Sequence, residues 1–245
     1  MTRERVRVDT RVVELGLEET RSRAQALIRA GEVRLGDRVL DKPGSVVPAD
    51  SMLTLRARSP YVSRGGQKLA GALDAFSLDP AGLRCADIGA STGGFTDCLL
   101  QHGAASVFAL DVGYGQLALR LREDPRVRVR ERTNIRTFEL DPAEPRFDLV
   151  TAELSFISLR RVLPQLAALT SAGGRLLVLV KPQFELERSL VGRGGVVRDA
   201  AKRLLASRRV REAAEAMGLG CLDEAESVLA GPKGNRERFV LLRQP

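Results

Sequence analysis

Histidine, cysteine and tryptophan are scarce in this sequence. His102 is the single histidine, Cys85, Cys98 and Cys221 are scattered without a CxxC pair, and tryptophan is absent. A thiolate or imidazole zinc site therefore lacks ligands, and Ser/His/Asp or Cys/His hydrolases are disfavoured. Aromatic residues make up only 4% of the chain, so we expect recognition of shape or phosphates rather than stacked aromatic platforms for bases.

Long apolar runs are also missing. The longest strongly apolar run is Leu176–Val180, far short of the ~18–20 residues that span a bilayer. The first ten residues contain no apolar stretch of the kind found in secretory signals, so we expect a soluble, cytoplasmic protein. A length of 245 residues with 44% hydrophobic residues allows one large domain, or a medium domain plus a small one.

Lysine is rare beside arginine, with five lysines among 39 basic residues. A lysine in such a sequence is either retained by chance or required because its amine, unlike a guanidinium group, can lose a proton. The formal net charge is +8, and both residues 1–63 and residues 64–245 carry an excess of basic side chains. A polyanionic partner that contacts both parts is therefore favoured.

Residues 1–58 show the pattern of a small α+β domain. A helix is predicted over Glu19–Ala30 with Gly31 as its stop signal. Gly36-Asp37 then supplies the turn of a predicted hairpin, and Met52–Leu55 supplies one more short strand.

This stretch resembles the RNA-binding domain named after small-subunit ribosomal protein S-four. The resemblance rests on the text RVRVDTRVVELGLEETRSRAQALIRAGEVRL and DKPGSVV. In that family the helix and the following hairpin lie on structured RNA. The resemblance implies that RNA phosphates lie near Arg21, Arg23, Gln25 and Arg29. The alternative for each arginine is an ordinary solvated helix face.

Residues 59–63 are predicted to be a linker, and residues 64–245 a second domain in which strands and helices alternate. Such alternation predicts a parallel sheet with helices on both faces. Arg64-Gly65-Gly66 precedes a predicted helix with Leu69, Leu73 and Phe76 at helical spacing. The later predicted helices are Gly94–Gln101, Gln116–Arg122, Leu159–Leu169 and Asp199–Met217. The predicted strands are Arg84–Ile88, Val107–Asp111, Val127–Arg130, Phe147–Glu153, Arg175–Lys181, Cys221–Val228 and Arg238–Leu242. The last two strands lack a helix between them, so they should form an antiparallel hairpin.

A glycine-rich turn, Asp87-Ile88-Gly89-Ala90-Ser91-Thr92-Gly93-Gly94-Phe95, follows the first of these strands. Such a turn lets the backbone and a helix N-terminus approach a ligand closely. A dinucleotide fingerprint would need glycine where Ser91 stands. Asp111 ends the second strand, where it suits ribose hydroxyls, so the pattern fits S-adenosylmethionine as well as NAD. The terminal hairpin favours a methyltransferase.

Four charged residues fall at the mouth of the predicted sheet. Lys68 lies on the helix before the first strand, Glu153 ends the fourth strand and Lys181 ends the fifth. Glu237 opens the last strand. Ligands of open α/β sheets bind outside the carboxyl ends of the strands. A structural ion pair at the sheet edge is the alternative interpretation of Lys181 and Glu153.

The second domain resembles the TlyA family, often named haemolysin, within the FtsJ-like ribose 2′-O-methyltransferases. The matching text is SRGGQKL, DIGASTGGFTD, ALDVGYGQLALRLREDPRV, ERTNIR, ELSFISL, LVKPQFE, GRGGVVRD and GPKGNRERF. The resemblance implies a Rossmann-like class I methyltransferase with a seven-stranded, mostly parallel sheet whose last strand is antiparallel. The family's catalytic Lys-Asp-Lys-Glu tetrad maps onto Lys68, Glu153, Lys181 and Glu237. Glu153 departs from the usual aspartate, which puts the efficiency of the site in question.

The resemblance implies S-adenosylmethionine as cofactor and ribosomal RNA as substrate. The expected cofactor-binding residues are Gly89, Ser91, Gly93, Gly94, Phe95, Asp111 and Asn134. Arg64 joins the expected RNA-binding residues. A basic run offers a further RNA-contact face with Arg193, Arg198, Lys202, Arg203, Arg208, Arg209 and Arg211. No metal is expected.

Three functions remain to be weighed. The first is 2′-O-methylation of a cytidine ribose. The family acts on large-subunit RNA and its longer members also act on the small subunit, so the large-subunit RNA is favoured. The second is a non-catalytic RNA-binding or assembly protein whose site decayed at Glu153. The third is a pore-forming haemolysin, which the lack of a membrane-spanning segment disfavours.

Overall fold

The computed structural model describes residues 4–55 and 60–245. The chain divides into two compact units, residues 1–58 and residues 59–245. Of the predicted linker, Ser59 lies outside the described residues. Pro60–Ser63 are bound to the larger unit, where Gln101 donates a hydrogen bond to the Pro60 carbonyl and the Val62 amide donates to Asp97.

The smaller unit is an α+β arrangement around one apolar core. Its elements are β1 (Arg5–Arg7), α1 (Val8–Glu14), α2 (Arg21–Arg29), β2 (Val33–Leu35), β3 (Arg38–Leu40), β4 (Val46–Pro48) and β5 (Thr54–Leu55). Strands β2 and β3 form the predicted antiparallel hairpin, and β5 pairs with the other edge of β2. The core contains Val8, Val12, Ala24, Leu27, Ile28, Val33, Leu40, Val47 and Leu53.

Two details of this unit differ from the prediction. Helix α2 begins at Arg21 rather than Glu19, because the Thr20 hydroxyl accepts a hydrogen bond from the Arg23 amide and so caps the helix. The segment between Pro43 and Pro48, where the prolines and Gly44 indicate a break in the chain rather than a strand, contains β4, which pairs with β1. Its proline is tolerated because it ends the strand.

The larger unit contains a seven-stranded sheet with helices on both faces. Its elements are α3 (Arg64–Ala75), β6 (Arg84–Ile88), α4 (Gly94–Gln101), β7 (Ser106–Leu110), α5 (Leu119–Arg122), β8 (Val127–Arg130), β9 (Phe147–Ala152), α6 (Leu163–Leu169), β10 (Thr170–Val180), α7 (Pro182–Glu185), α8 (Ala200–Glu215), β11 (Gly220–Glu226) and β12 (Arg238–Arg243). The strand order is β11-β12-β10-β9-β6-β7-β8. The pairs among β10, β9, β6, β7 and β8 are parallel, and β12 is antiparallel to both β10 and β11.

This sheet confirms the predicted fold class, including the antiparallel last strand. Several helix ends differ. The predicted helix over Leu159–Leu169 is a 3-10 turn at Leu159–Arg161 followed by α6, with Val162 outside helical geometry between them. Helix α5 begins at Leu119, three residues later than predicted. Helix α8 begins at Ala200 because the Asp199 carboxylate accepts hydrogen bonds from two amides of the first turn.

Apolar side chains cover both faces of the sheet. One cluster joins β6, β9 and β10 to α6 and α8, with Phe147, Leu163, Leu166 and Val210 among its members. The other joins the opposite face to α3 and α4 through residues such as Leu69, Leu99 and Phe239. Burial on both faces fixes the strands rigidly, so the residues that follow β6, β9 and β10 are held at one edge.

Candidate active site

Four charged side chains meet at the carboxyl edge of the sheet. Glu153 directly follows β9 and Lys181 directly follows β10, so parallel pairing brings them to the same edge. Lys68 reaches this edge from α3. Glu237 directly precedes β12, and because that strand runs antiparallel, its first residues also lie here.

The geometry joins these four groups in one network. Lys68 Nζ donates hydrogen bonds to Glu237 Oε2 at 2.6 Å and to Glu153 Oε1 at 3.0 Å. Lys181 Nζ lies 3.3 Å from the same Glu153 oxygen and donates to Ser155 Oγ at 3.1 Å. Glu153 therefore links the two lysines through a single oxygen atom.

Lys68 is the buried member of the network, with 5% of its side chain exposed, and Glu237 is 1% exposed. Burial opposes the charged ammonium and lowers the pKa of Lys68, but the carboxylates of Glu153 and Glu237 outweigh burial, so this pKa is raised overall. Lys68 is consequently held as a cation and is unsuited to take a proton.

The network lines a cavity of about 690 Å³. Its other walls are the glycine-rich turn after β6, the start of α3, and the segment before β12. Four of the expected cofactor-binding residues line it, Gly89, Ser91, Gly94 and Phe95, together with Arg64, which was expected to contact RNA. Phe95 is buried, and its ring centroid is 6.0 Å from that of Phe239, so it forms part of the cavity floor.

The glycines of the turn allow close backbone approach. A Cβ on Gly89, whose φ is +87°, would lie 2.7 Å from the Glu153 carbonyl oxygen. A Cβ on Gly94 would lie 2.9 Å from the Gly66 amide nitrogen. Larger residues at these two positions would push the turn away from Glu153 and from α3, which would separate the two halves of the cavity.

Three expected cofactor residues do not line this cavity. Gly93 packs under Leu117, where its Cβ would lie 2.7 Å from a methyl carbon, so it shapes the turn from beneath. Asp111 accepts hydrogen bonds from the Ser91 amide at 2.8 Å and the Gly113 amide at 2.6 Å. Asn134 accepts from the Arg136 amide at 3.0 Å and caps a 3-10 turn.

Asp87 is a functional candidate that the sequence reasoning missed. Its side chain is fully buried at the end of β6, and it lines the cavity. Oδ2 accepts hydrogen bonds from the amide and the hydroxyl of Thr96, but Oδ1 has no partner within the part of the chain described. Burial raises the pKa of Asp87 to about 7, although the hydrogen bonds from Thr96 oppose this rise. Its place at the start of the turn was the available sequence signal.

Phe156 is the second missed residue. It lies four residues from the end of β9 in the left-handed region, with φ +65°, and is 92% exposed. Its ring centroid lies 5.4 Å from that of Phe184, which follows Lys181. Both rings line the cavity mouth, although the low aromatic content had argued against aromatic platforms. An aromatic residue held in this conformation is strained, and such strain clusters at functional sites.

The predicted RNA-contact residues on α2 are not equivalent. Arg21 and Gln25 donate hydrogen bonds to one oxygen of the fully buried Asp9 at 3.0 and 2.8 Å. Arg7 also binds Asp9, and roughly half of both arginine side chains stays exposed. The sequence reasoning did not single out Asp9, whose isolated position in a basic stretch was the only signal.

The remaining predicted basic residues are partly engaged within the protein. Arg23 pairs with Glu19 at 2.9 Å and Arg29 donates to Gln25. Arg64 donates to the Ala230 carbonyl. In the basic run of α8, Arg203 binds backbone carbonyls, Arg209 pairs with Glu187 and Arg211 lies 3.7 Å from Glu224. These three arginines therefore do not form a continuous free basic face.

No helix within residues 4–55 and 60–245 has the length and apolar character needed to cross a membrane.

Comparison with known proteins gives consistent results. The profile of the FtsJ-like methyltransferase family matches residues 61–244, and that of the S4 domain matches residues 6–53. The 16S/23S rRNA (cytidine-2′-O)-methyltransferase TlyA of Mycobacterium tuberculosis is 48% identical over 98% of this chain and 90% of that protein. The 23S rRNA (cytidine-2′-O)-methyltransferase TlyA of Campylobacter jejuni is 36% identical over 73% of this chain and 69% of that protein.

Solved structures agree with these sequence matches. A protein described as a hemolysin from Streptococcus thermophilus is 39% identical and has a TM-score of 0.76. The match covers 99% of this chain and 90% of that chain. The two domain matches, the four-residue network and the glycine-rich turn agree with one another, and the chain belongs to the TlyA family of FtsJ-like methyltransferases, which use S-adenosylmethionine.

Proposed function

We propose that this protein transfers a methyl group from S-adenosylmethionine to the 2′ hydroxyl of a cytidine in ribosomal RNA, with 23S rRNA as the target. The observation that carries the proposal is the network at the cavity. Lys181 lies there beside Glu153, while Lys68 is held as a buried cation by Glu153 and Glu237.

The cavity fits the cofactor. The unpartnered Oδ1 of Asp87 offers a carboxylate oxygen to an ammonium group, and the adjacent turn places Gly89 and Gly94 where the backbone can approach a ligand. Asp87 and this turn would hold the methionine end, and Asp111 would hold the ribose. When bound, the cofactor supplies a methyl group on a sulfonium sulfur.

The chain's own residues prepare the nucleophile. A ribose hydroxyl is a poor nucleophile that needs orientation and removal of its proton. We assign both tasks to Lys181 Nζ. Ser155 and Glu153 fix the position of this nitrogen. The buried charge of Lys68 favours the negative charge that develops on the hydroxyl oxygen.

The smaller unit and the cavity mouth supply the RNA contacts in this proposal. Arg7 and Arg21, held by Asp9, present partly exposed guanidinium groups that suit phosphates. Phe156 and Phe184 form a ring pair at the mouth that suits stacking on the target base. The choice of 23S rRNA is supported by the names of both TlyA relatives, which share this substrate, whereas only the Mycobacterium tuberculosis name includes 16S rRNA.

The non-catalytic alternative finds no support in the site. It rested on Glu153 replacing aspartate, yet the longer side chain contacts both lysines, at 3.0 and 3.3 Å. The extra methylene therefore leaves the network connected.

The test measures methyl transfer from labelled S-adenosylmethionine to purified large and small ribosomal subunits separately, with Lys181→Ala as the matched variant. We expect incorporation into 23S rRNA, loss of incorporation in the variant, and similar cofactor binding by both proteins in calorimetry. Incorporation into 16S rRNA alone would overturn the assigned target. Absence of transfer to both subunits by a protein that binds the cofactor would overturn the activity, and equal turnover by Lys181→Ala would overturn the assigned base.

A further inference from the structure

A second cavity of about 470 Å³ adjoins the catalytic cavity. The two share Phe156, Gln183 and Phe184, so the ring pair forms a common wall between them. The remaining lining of this cavity, which we call the arginine cavity, consists of Arg136, Ile157, Ser158, Arg160, Arg161, Glu185, Leu186 and Glu187. A ligand that leaves the catalytic cavity past Phe156 enters this space directly.

Arg160 contacts Glu185 in the arginine cavity. Its Nη2 donates to the Glu185 carbonyl at 3.3 Å, and its Nε lies 3.5 Å from Glu185 Oε2. Glu185 is itself buried and accepts hydrogen bonds from the Ser158 hydroxyl at 2.6 Å and the Leu159 amide at 2.7 Å. The turn that carries Arg160 and Arg161 is therefore fixed against α7, directly beside the ring pair.

Arg136 and Arg161 have no acidic partner comparable to Glu185 among the described residues. Both side chains are exposed, and neither guanidinium group has a hydrogen-bond or ion-pair partner among residues 4–55 and 60–245. The other carboxylate of the cavity, Glu187, already pairs with Arg209 at 2.8 Å. The cavity thus holds two uncompensated cations and a third arginine whose position is fixed, which favours an anionic ligand.

The shared wall indicates what kind of anion fits. Phe156 presents its ring almost fully to solvent, against Phe184, at the boundary of the two cavities. Gln183 lines both cavities, and its Oε1 atom is buried without a hydrogen-bond partner among the described residues. Rings for stacking, an amide oxygen for a hydroxyl or amino group, and arginines for phosphate together match a nucleotide within a single strand.

We propose that the arginine cavity binds the nucleotide adjacent to the methylated one, with its phosphate held by Arg136 and Arg161 and Arg160 completing the site. This inference rests on the proposed function and extends it. The target ribose occupies the catalytic cavity and the strand passes Phe156. The phosphate of the adjacent nucleotide then binds in the arginine cavity. The site would anchor the RNA strand beside the ring pair and so strengthen binding of the substrate.

The test uses the full chain with Arg136→Ala and Arg161→Ala, singly and combined. The matched control is Arg175→Ala, which removes an exposed arginine on β10 that lines neither cavity. Binding to purified large ribosomal subunits is measured over a range of salt concentrations, and steady-state methyl transfer is measured at one of them. Cofactor affinity, measured by calorimetry, checks that the catalytic cavity is intact.

We expect the double variant to bind the subunits about tenfold more weakly, with the slope of log affinity against log salt reduced by about 0.7 for each lost contact to a single strand. The KM for subunits should rise, while kcat and cofactor affinity stay near those of Arg175→Ala. Equal KM and equal salt slope in the double variant and the control would overturn the inference. A fall in kcat with unchanged binding would overturn it as well. Transfer by the unchanged protein is read independently, so failure of the proposed function is distinguished from failure of this inference.

Discussion

Lys68 and Glu237 are separated by 169 positions in the chain, yet Lys68 Nζ donates a hydrogen bond of 2.6 Å to Glu237 Oε2 in the protein interior. This pair connects α3, which precedes the sheet, to β12, its last strand. It also leaves Glu153 as the only carboxylate of the network that reaches both lysines. The contact between Lys68 and Glu237 therefore both joins α3 to β12 and forms part of the charged network at the cavity.

Glu237→Gln should destabilise the protein strongly. The substitution leaves the buried Lys68 ammonium with one carboxylate instead of two, and breaking a buried pair costs about 3–5 kcal/mol. The free energy of unfolding, measured by urea denaturation, should fall by that order. The control is Glu226→Gln, which removes an exposed partner of Arg236 and should cost about 1 kcal/mol or less. Similar losses in both variants would contradict the structural role of Glu237.

The same pair predicts a loss of stability in alkali. The folded-state pKa of Lys68 is raised above its ordinary value of 10.5, so its contribution is fully present below that pH and disappears as the pH rises through the folded-state pKa. The unfolding free energy should therefore decrease above pH 10.5. This decrease should be smaller in Glu237→Gln, because less of the raised pKa remains. Parallel pH profiles of the two proteins would refute this assignment.

Glu153→Gln should lower kcat by roughly 100-fold or more, the order expected for a charged group that positions reacting partners. The neutral amide no longer compensates the buried Lys68 ammonium, and it removes the carboxylate oxygen that positions both Lys68 and Lys181. Glu153→Asp keeps the charge and restores the residue typical of the family, so we expect it to retain most activity. Single-turnover methyl transfer at saturating cofactor measures both. Wild-type turnover by Glu153→Gln would show that this charge is dispensable.

Asp87→Asn should stabilise the cofactor-free protein and weaken cofactor binding. Burial raises the pKa of Asp87 to about 7 from 3.8, so ionisation destabilises the fold increasingly between these values, by on the order of 4 kcal/mol in total. The asparagine variant should therefore unfold at higher urea concentration than the parent at pH 8. At pH 4 the two proteins should be alike. Calorimetry at pH 8 should show about tenfold weaker binding of S-adenosylmethionine, since a charge-assisted hydrogen bond is lost. Unchanged affinity would remove Asp87 from the cofactor site.

Asp9→Asn should weaken RNA binding through Arg7 and Arg21. The hydrogen bond from Arg7 lowers the pKa of the Asp9 carboxyl group, burial opposes this, and Gln25 and Arg21 lower it further. Its stabilising effect is thus present above the ordinary value of 3.8 and is lost as the pH falls below it. We expect Asp9→Asn to bind ribosomal subunits more weakly than the parent protein. Its free energy of unfolding should also fall less as the pH is lowered. The control Asp50→Asn changes the same charge at an exposed turn of the smaller unit. Equal RNA affinity of the two variants would contradict a positioning role for Asp9.

Much of the fold follows from local sequence patterns. Helix α4 and strands β6 and β8 have the predicted ends, because the glycine-rich turn separates β6 from α4 and alternating valines and arginines form β8. The break at Val162 has a local cause, because Pro164 stands in the first turn of α6 and supplies no amide donor. Strand β4 was not predictable in this way, since it depends on pairing with the distant strand β1.

The sequence by itself determined the family, the antiparallel last strand of the sheet, and which four charged residues form the network. Motif spacing and the alternation of strands and helices, on which these depend, are properties of the chain. Only the tertiary structure decided what each of these side chains touches. The carboxylates of Glu153 and Glu237 keep Lys68 charged although it is buried, burial raises the pKa of Asp87, and Phe156 lies at the cavity mouth in a left-handed backbone conformation. These outcomes depend on the burial of each side chain and on its contacts with residues distant in the sequence. Both arise only when the chain folds.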